Sequence, residues 1–279
     1  MHVRVSWSLH HAVTFGKAFV HRLVRDDIGA YAAALSYSLL FAIFPLGLVL
    51  AAVLPALPLH LPTAESIPTG IVSPEVRDLF VRVIRASVAR PTLAYLGALG
   101  YLYGMSSAFR RLIDAFNHAY EYVPKLRRPA YKTLILSVVL ALTLGLLLIA
   151  AIVLATGGAH LCYLLLSAIA GRPVATSVSS VVRWLLVIGL AVILLAVLYW
   201  IAPDRPHRFR WISLGAVVAV VLWLFISAAF SIYLTHFNSY NLLYGSVGAF
   251  ILLLLYVYIF SYAVLLGAEL DAMLETDPR

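Results

Sequence analysis

From Trp211 through Ala268, 58 consecutive residues pass without one Lys, Arg, Asp or Glu. A water-soluble fold has no use for so long an uncharged run. Lipid accepts it, but only as helices or closed barrels, which satisfy every backbone N–H and C=O internally. The hydrocarbon core, about 30 Å thick, takes roughly 20 to 25 residues per helix, so the run must hold two spans and a reversal. The rest of the chain agrees: of 279 residues 63% are hydrophobic and 11% charged, against about 25% charged in soluble domains. Barrel strands would alternate in segments of about ten residues, whereas the apolar runs here are continuous. The sequence therefore predicts an all-α membrane protein.

Six transmembrane helices are expected, near 30–54, 91–110, 134–158, 182–202, 211–235 and 246–268, forming a single six-span domain over 1–279. The reversal within the uncharged run falls on "YNLLYGSVGAF" (240–250), where Asn241, Gly245, Ser246 and Gly248 have turn chemistry. On this map the N-terminus, the second and fourth loops and the C-terminus, with Arg110 at the edge of the second loop, carry 14 of the 20 basic residues, including "KLRR" (125–128) and "DRPHRFR" (204–210). The positive-inside rule then places both termini in the cytoplasm and the 240–250 turn outside. The first thirty residues hold Arg4, Lys17, Arg22, Arg25, Asp26 and Asp27 and no apolar core of a signal peptide, so the first span is read as the insertion signal. The net charge of +8 is accounted for by basic flanks meeting the bilayer and its anionic lipid headgroups, and no nucleic-acid partner is implied. Oligomeric state is not encoded in any pattern of the sequence.

Amphipathic interfacial helices should accompany the spans. Residues 1–29 form a cytoplasmic amphipathic segment, with Phe15, Phe19, Val20 and Leu23 beside Lys17, Arg22 and Arg25, leading to Asp26 and Asp27, either of which could cap the first span. The outer loop 55–90 contains a second such helix: Ser73 and Pro74 suit its start, Val76, Leu79, Phe80, Val83, Ile84 and Val88 share one face, and Arg77, Asp78, Arg82 and Arg85 the other. "HLCYLLLSAIAG" (160–171) is too short to cross and is placed at the outer surface. Residues 111–133 and 203–210 are the basic cytoplasmic loops.

Catalytic chemistry is not in evidence. The nine histidines are scattered, none at metal-ligand spacing with Cys, Asp or Glu, and the single Cys162 reads as a small buried hydrophobe. No phosphate loop or nucleophile elbow appears. "GALGYLYG" places Gly97, Gly100 and Gly104 inside an apolar span, the small-residue pattern of close helix contact. No metal or cofactor is implied.

Polar residues inside apolar spans carry more information, because lipid makes them costly. In "AAALSYSLLFAIFP" (32–45), Ser36 and Tyr37 precede Pro45, which removes a backbone donor; packing with a kink and a bent helix lining a pathway are both open readings. In "SSAFRRLIDAFNHAYEY" (106–122), Arg110, Asp114, Asn117 and Glu121 share a helical face, either solvated and ion-paired or a gate or headgroup contact. Glu269 in "LLGAELDA" ends the last span; an acid near a helix C-terminus calls for a cation, and Arg110 or Arg111 is the expected one.

These phrases, with "LYWIAPDRPHRFRW" (198–211) and "YNLLYGSVGAFILLLLYVYIFSYAVLLGAELDA" (240–272), resemble the successive blocks of the YihY/BrkB family of bacterial membrane proteins over nearly the whole chain. Asn117 and Tyr120 match the family's Asn and Tyr after the second span, Ala202 and Pro203 its Ala-Pro pair, and Tyr244, Gly245 and Ser246 its last block. Tyr256 stands where Trp is common, and Asp271 where Asn is common. The resemblance implies six spans, cytoplasmic termini, the bacterial inner membrane and an association with virulence. Members have carried a ribonuclease label; RNA hydrolysis would need a metal site or an acid–base pair outside the membrane, and the cytoplasmic loops offer neither. The expected function is translocation of a small or lipid-linked anionic substrate, with Ser36, Tyr37, Pro45, Arg110, Asp114, Asn117, Tyr120, Asn241, Tyr244 and Glu269 as candidate pathway or gate residues. The alternative is an envelope scaffold without transport.

Overall fold

The computed structural model describes residues 9–53, 91–120, 128–153, 172–204, 213–236 and 240–276, with Ser167 and Trp211. Among these residues the fold is wholly helical: α1 (Leu9–Arg25), α2 (Ile28–Val53), α3 (Pro91–Ala119), α4 (Ala130–Val153), α5 (Arg172–Ile201), α6 (Leu214–His236) and α7 (Tyr240–Thr276). The segments expected at the outer surface, 73–90 and 160–171, lie outside the described residues apart from Ser167, as do 121–127 and 205–210.

Only Asp26 and Asp27 separate α1 from α2. Asp27 takes the left-handed region, φ 47°, which an aspartate tolerates better than most residues. Its carbonyl accepts from the amides of Ala30 and Tyr31 to start α2, while the Asp26 amide closes α1 on the Arg22 carbonyl. Thus the chain turns sharply at a fixed point.

α2 and α3 run antiparallel along their whole lengths, and glycine makes the approach possible. A Cβ on Gly97 would stand 2.8 Å from Leu48 Cβ, on Gly100 3.0 Å from the Pro45 ring, and on Gly104 3.1 Å from the Ala42 backbone. Pro45 therefore serves the helix contact: its ring lies over the glycine face. Nearer the other end, Tyr31 meets the His118 ring at 3.0 Å, and Arg22 donates to the Ala119 carbonyl at 2.7 Å.

Three helices, α2, α3 and α7, pack mutually at the centre, with α4 against α3, α6 against α7 and α5 against α6. Tyr101 ties α3 to α4 by donating to the Ala141 carbonyl at 3.0 Å. Tyr199 ties α5 to α7 through the Val264 carbonyl at 2.6 Å, edge-on to Phe116. The largest fully buried side chains, Tyr199, Phe116, Ile28, Ile113, Leu265 and Glu269, all gather where α2 begins and where α3, α5 and α7 finish.

The expected turn at 240–250 is corrected: these residues open α7, and residues 237–239 before them lie outside the described residues. Asn, Gly and Ser are poor helix formers in water. In an apolar surround the helix is the conformation that pairs their backbone groups, and that demand outweighs propensity.

Among the described residues, five helices are long and apolar enough to cross a membrane, over Ile28–Leu50, Ala130–Ala150, Trp184–Ile201, Leu214–Tyr233 and Phe250–Glu275. α3 matches them in length, but Tyr95, Tyr101, Tyr103, its glycines and Ser106 and Ser107 lower its hydropathy. Its outward stripe is still apolar or aromatic: Tyr95, Leu96, Leu99 and Tyr103 are all exposed. Exposed aromatics occur along the whole bundle, Tyr37, Tyr103 and Phe225 among them, and some stand toward its two ends. Tyr131, Trp200 and Trp211 lie at the end holding the buried cluster, Tyr95 and Trp184 toward the other. At 1.5 Å per residue, Trp184 and Trp200 are about 24 Å apart along α5, a separation suited to two interfacial belts.

The glycine contacts generate a test. A Cβ at Gly215 of α6 would collide with the Gly267 carbonyl of α7, whereas nothing lies within 4 Å of one at Gly189. Gly215→Val is expected to cost about 1–3 kcal/mol as overpacking, read as a fall in the thermal midpoint in detergent, with Gly189→Ala leaving the midpoint in place. Equal effects would mean that the close approach is not a source of stability.

Candidate functional site

At the packed end, Glu269 of α7 is wholly buried. The cation beside it is Arg22 of α1, whose Nε lies 3.2 Å from Glu269 Oε2, not Arg110 or Arg111 as the sequence had led us to expect. The contact is one of charge rather than an aligned hydrogen bond, for neither Glu269 oxygen receives a hydrogen bond among the described residues. The same Nε stands 3.9 Å from Asp26 Oδ2, and Arg25 grips Asp26 with contacts of 2.8 and 3.1 Å. Two carboxylates and two guanidinium groups thus meet at the α1–α2 junction. Tyr120, buried just after α3, has its phenol pushed above its usual range by burial first and then by Asp271, Glu275 and Glu269, so it stays neutral.

A second polar group joins α3, α4 and α5. Asn117 donates to Asp204 Oδ2 at 3.2 Å and accepts from the Asp204 amide at 2.7 Å. The Arg128 amide donates to the same oxygen at 3.1 Å, and its Nε lies 3.4 Å from Asp204 Oδ1. The Arg128 guanidinium then donates to the carbonyls of Ile201 and Pro203, at 3.0 and 2.9 Å, answering the bare C-terminal carbonyls of α5. This is a clasp, and every member has a structural task. The start of α6 is closed similarly: the Gly215 amide donates to Asp271 Oδ1 at 2.7 Å and the Ala216 amide to Ser213 Oγ at 3.0 Å, placing a carboxylate at the positive helix end.

The candidate residues read from sequence divide. Asn117, Tyr120 and Glu269 come together at the packed end, with half-buried Arg110 and exposed Asp114 on the same part of α3. Ser36 is buried and donates back to the Ala33 carbonyl at 2.8 Å, within its own helix. Tyr37 faces outward against Phe41, and Pro45 sits on the glycine face. Asn241 and Tyr244 belong to the first turns of α7; their side chains are outside the described residues. Arg22, Asp26, Arg128, Asp204 and Tyr199 were not selected from sequence as site residues. Arg22 had a signal: positions 15, 19, 22, 23 and 26 fall on one helical face, so this arginine lies on the apolar side of α1. Asp204 had one too, as the sole acid in "DRPHRFR". Among the described residues, no group of three or more His, Cys, Asp or Glu could hold a metal ion.

The clasp sets a second test. Arg128→Ala is expected to cost about 2–3 kcal/mol, below the roughly 3–5 of a wholly buried pair because part of the Arg128 side chain meets solvent. Asp204→Asn, which keeps an acceptor for the Arg128 amide, should cost less. Thermal unfolding of the two variants and the double mutant checks this, and strictly additive losses would deny the coupling.

The profile of the virulence factor BrkB family matches residues 19–279. The chain is 24% identical over 264 residues to YfkH of Bacillus subtilis, named a ribonuclease-like protein, covering 94% of this chain and 95% of that one. It is 27% identical over 280 residues to a UPF0761 membrane protein of Vibrio campbellii, covering 98% and 85%, and 29% identical to one of Stenotrophomonas maltophilia strain K279a, covering 94% and 61%. No solved structure gives a significant match. A family profile that takes in nearly the whole chain, over a bundle of long apolar helices, identifies it: the chain belongs to the virulence factor BrkB family and is a multi-pass membrane protein.

Proposed function

We propose that the protein crosses the bacterial inner membrane six times, with both termini in the cytoplasm, and translocates a small or lipid-linked anionic substrate. The observation that carries the translocation reading is Glu269, fully buried against Arg22 at the meeting of α1, α3 and α7. A protein needing only tight packing there would be as stable or more so with apolar residues of similar volume, so a retained buried pair points to work that needs charge. The sixth span is α3, because it runs the length of α2 and turns an apolar and aromatic stripe outward. Exposed Lys17, Arg25, Arg111 and Lys132 ring the packed end, which supports a cytoplasmic location and contact with anionic headgroups rather than nucleic acid. Asn241 and Tyr244, at the opposite end of α7 from Glu269, stand at the outer mouth in this reading.

A scaffold without transport is the second reading, favoured by the Asn117–Arg128–Asp204 clasp, which locks three helix ends together.

Orientation is checked with an impermeant maleimide on vesicles of known sidedness: a cysteine at Lys17, in a Cys162→Ser background, should react only from the cytoplasmic face. Reaction only from the outer face would invert the topology. Function is checked in proteoliposomes holding phosphatidylglycerol with a fluorescent headgroup, or loaded with radiolabelled phosphate. Wild type should expose more than half of the labelled lipid to a membrane-impermeant quencher, or release the phosphate, and Glu269→Ala should lower the rate at least about tenfold, as when an interaction worth about 1.4 kcal/mol is lost. Neither movement with wild type would favour the scaffold.

A further inference from the structure

We infer that Glu269 is a proton-binding site, reached through Asp26, and that proton uptake there releases α1 from α7. The inference stands on the geometry of the cluster and does not depend on what the protein translocates.

Glu269 has no solvent exposure, and neither of its oxygens receives a hydrogen bond among the described residues. A buried carboxylate is normally held by several donors; the nearest cation here is Arg22 at 3.2 Å, with Arg25 a second, more distant one and the Asp26 carboxyl group beside it. The Arg22 guanidinium is shared, since Asp26 stands 3.9 Å from the same nitrogen and is itself bound by Arg25. Asp26 retains 10% of its side-chain surface in solvent and Glu269 none, so a proton from water meets Asp26 first. Once Glu269 takes the proton on a carboxyl oxygen it is neutral and its pairing with Arg22 is lost. Arg22 keeps its bond to the Ala119 carbonyl and its attraction to Asp26. No bond other than the O–H forms.

Arg25 is the second cation acting on Glu269, but its guanidinium is held by Asp26, and the remaining groups facing Glu269 supply no equivalent partner. α2 brings Tyr31, turned to His118, and Asp27 at the junction. Tyr120 follows α3, buried and neutral, and Tyr199 of α5 gives its hydroxyl to Val264. α6 carries no acidic or basic side chain until His236 at its far end. On α7 itself Asp271 is engaged with the Gly215 amide, and Glu275 is exposed.

Mechanically, α1 is a peripheral helix. Val20 and Val24 are exposed, Leu23 packs on the core, and the two-residue junction at Asp26 and Asp27 is a natural pivot. Loss of the Arg22–Glu269 pair removes the charge contact of α1 with α7, and α1 shifts about that point while Arg22 still holds the Ala119 carbonyl after α3.

The test uses the full chain in nanodiscs, Cys162→Ser, with spin labels at Lys17→Cys on α1 and Lys132→Cys at the start of α4, both outside the cluster. Distance distributions and infrared difference spectra are taken between about pH 4 and 8, a range that spans ordinary and raised carboxyl titration. Acidification of the otherwise wild-type protein should lengthen or broaden the distance and produce a protonated-carboxyl band. Glu269→Gln should remove one component of that band and hold the released distance at every pH, and Arg22→Gln should hold that distance too. A distance that does not change with pH in the otherwise wild-type protein, or a carboxyl band unaltered by Glu269→Gln, would overturn the inference. The titration without a cluster substitution decides the matter even if a variant fails to fold.

Discussion

Lipid cannot hydrogen-bond to a helix end, and the molecule answers its own. The C-terminal carbonyls of α5 are taken by Arg128, that of Ala119 after α3 by Arg22, and the first amides of α6 by Asp271 and Ser213. In a soluble protein, water would share this task. Here every solution but Ser213, which caps its own helix, brings a side chain from elsewhere in the chain, so satisfying the backbone also decides which helices are neighbours. The packed end of the bundle is therefore both the most polar region described and the most completely buried.

Much of the fold was legible because lipid imposes simple demands. Uncharged runs marked α2, α4, α5, α6 and α7, and the spacing of Gly97, Gly100 and Gly104 announced a close helix contact that α2 fills. The start of α7 was misread because Asn241, Gly245 and Ser246 signal a turn only where water competes for the backbone. α3 sits at the edge of legibility, since the tyrosines and glycines that let it pack also dilute its hydropathy.

The candidate site was half visible. Glu269 and Asn117 stood out as polar groups at the edges of apolar segments, yet their partners lie far along the chain. Asn117 and Asp204 are 87 residues apart, and no local periodicity joins them. Arg22 lay on the apolar face of an amphipathic helix, which flags burial without saying against what. Residue type and helical phase reveal that a charge needs a partner; only the packing of α1 on α7 supplies it.

Tyr256 shows how a single hydroxyl can shape motion. It accepts from Trp223 Nε1 at 3.0 Å and pairs with Ser227 at 2.9 Å, with Phe230 packed beside it, in the apolar middle of the α6–α7 contact. Nearer the packed end, Gly215 lies against Gly267 and is bonded to Asp271. Fastened at two levels, α6 and α7 cannot rotate or slide independently and behave as one stiff lever. Any opening of the bundle is then directed to the seams this lever makes with α1, α2, α3 and α5, while the α6–α7 contact itself stays shut.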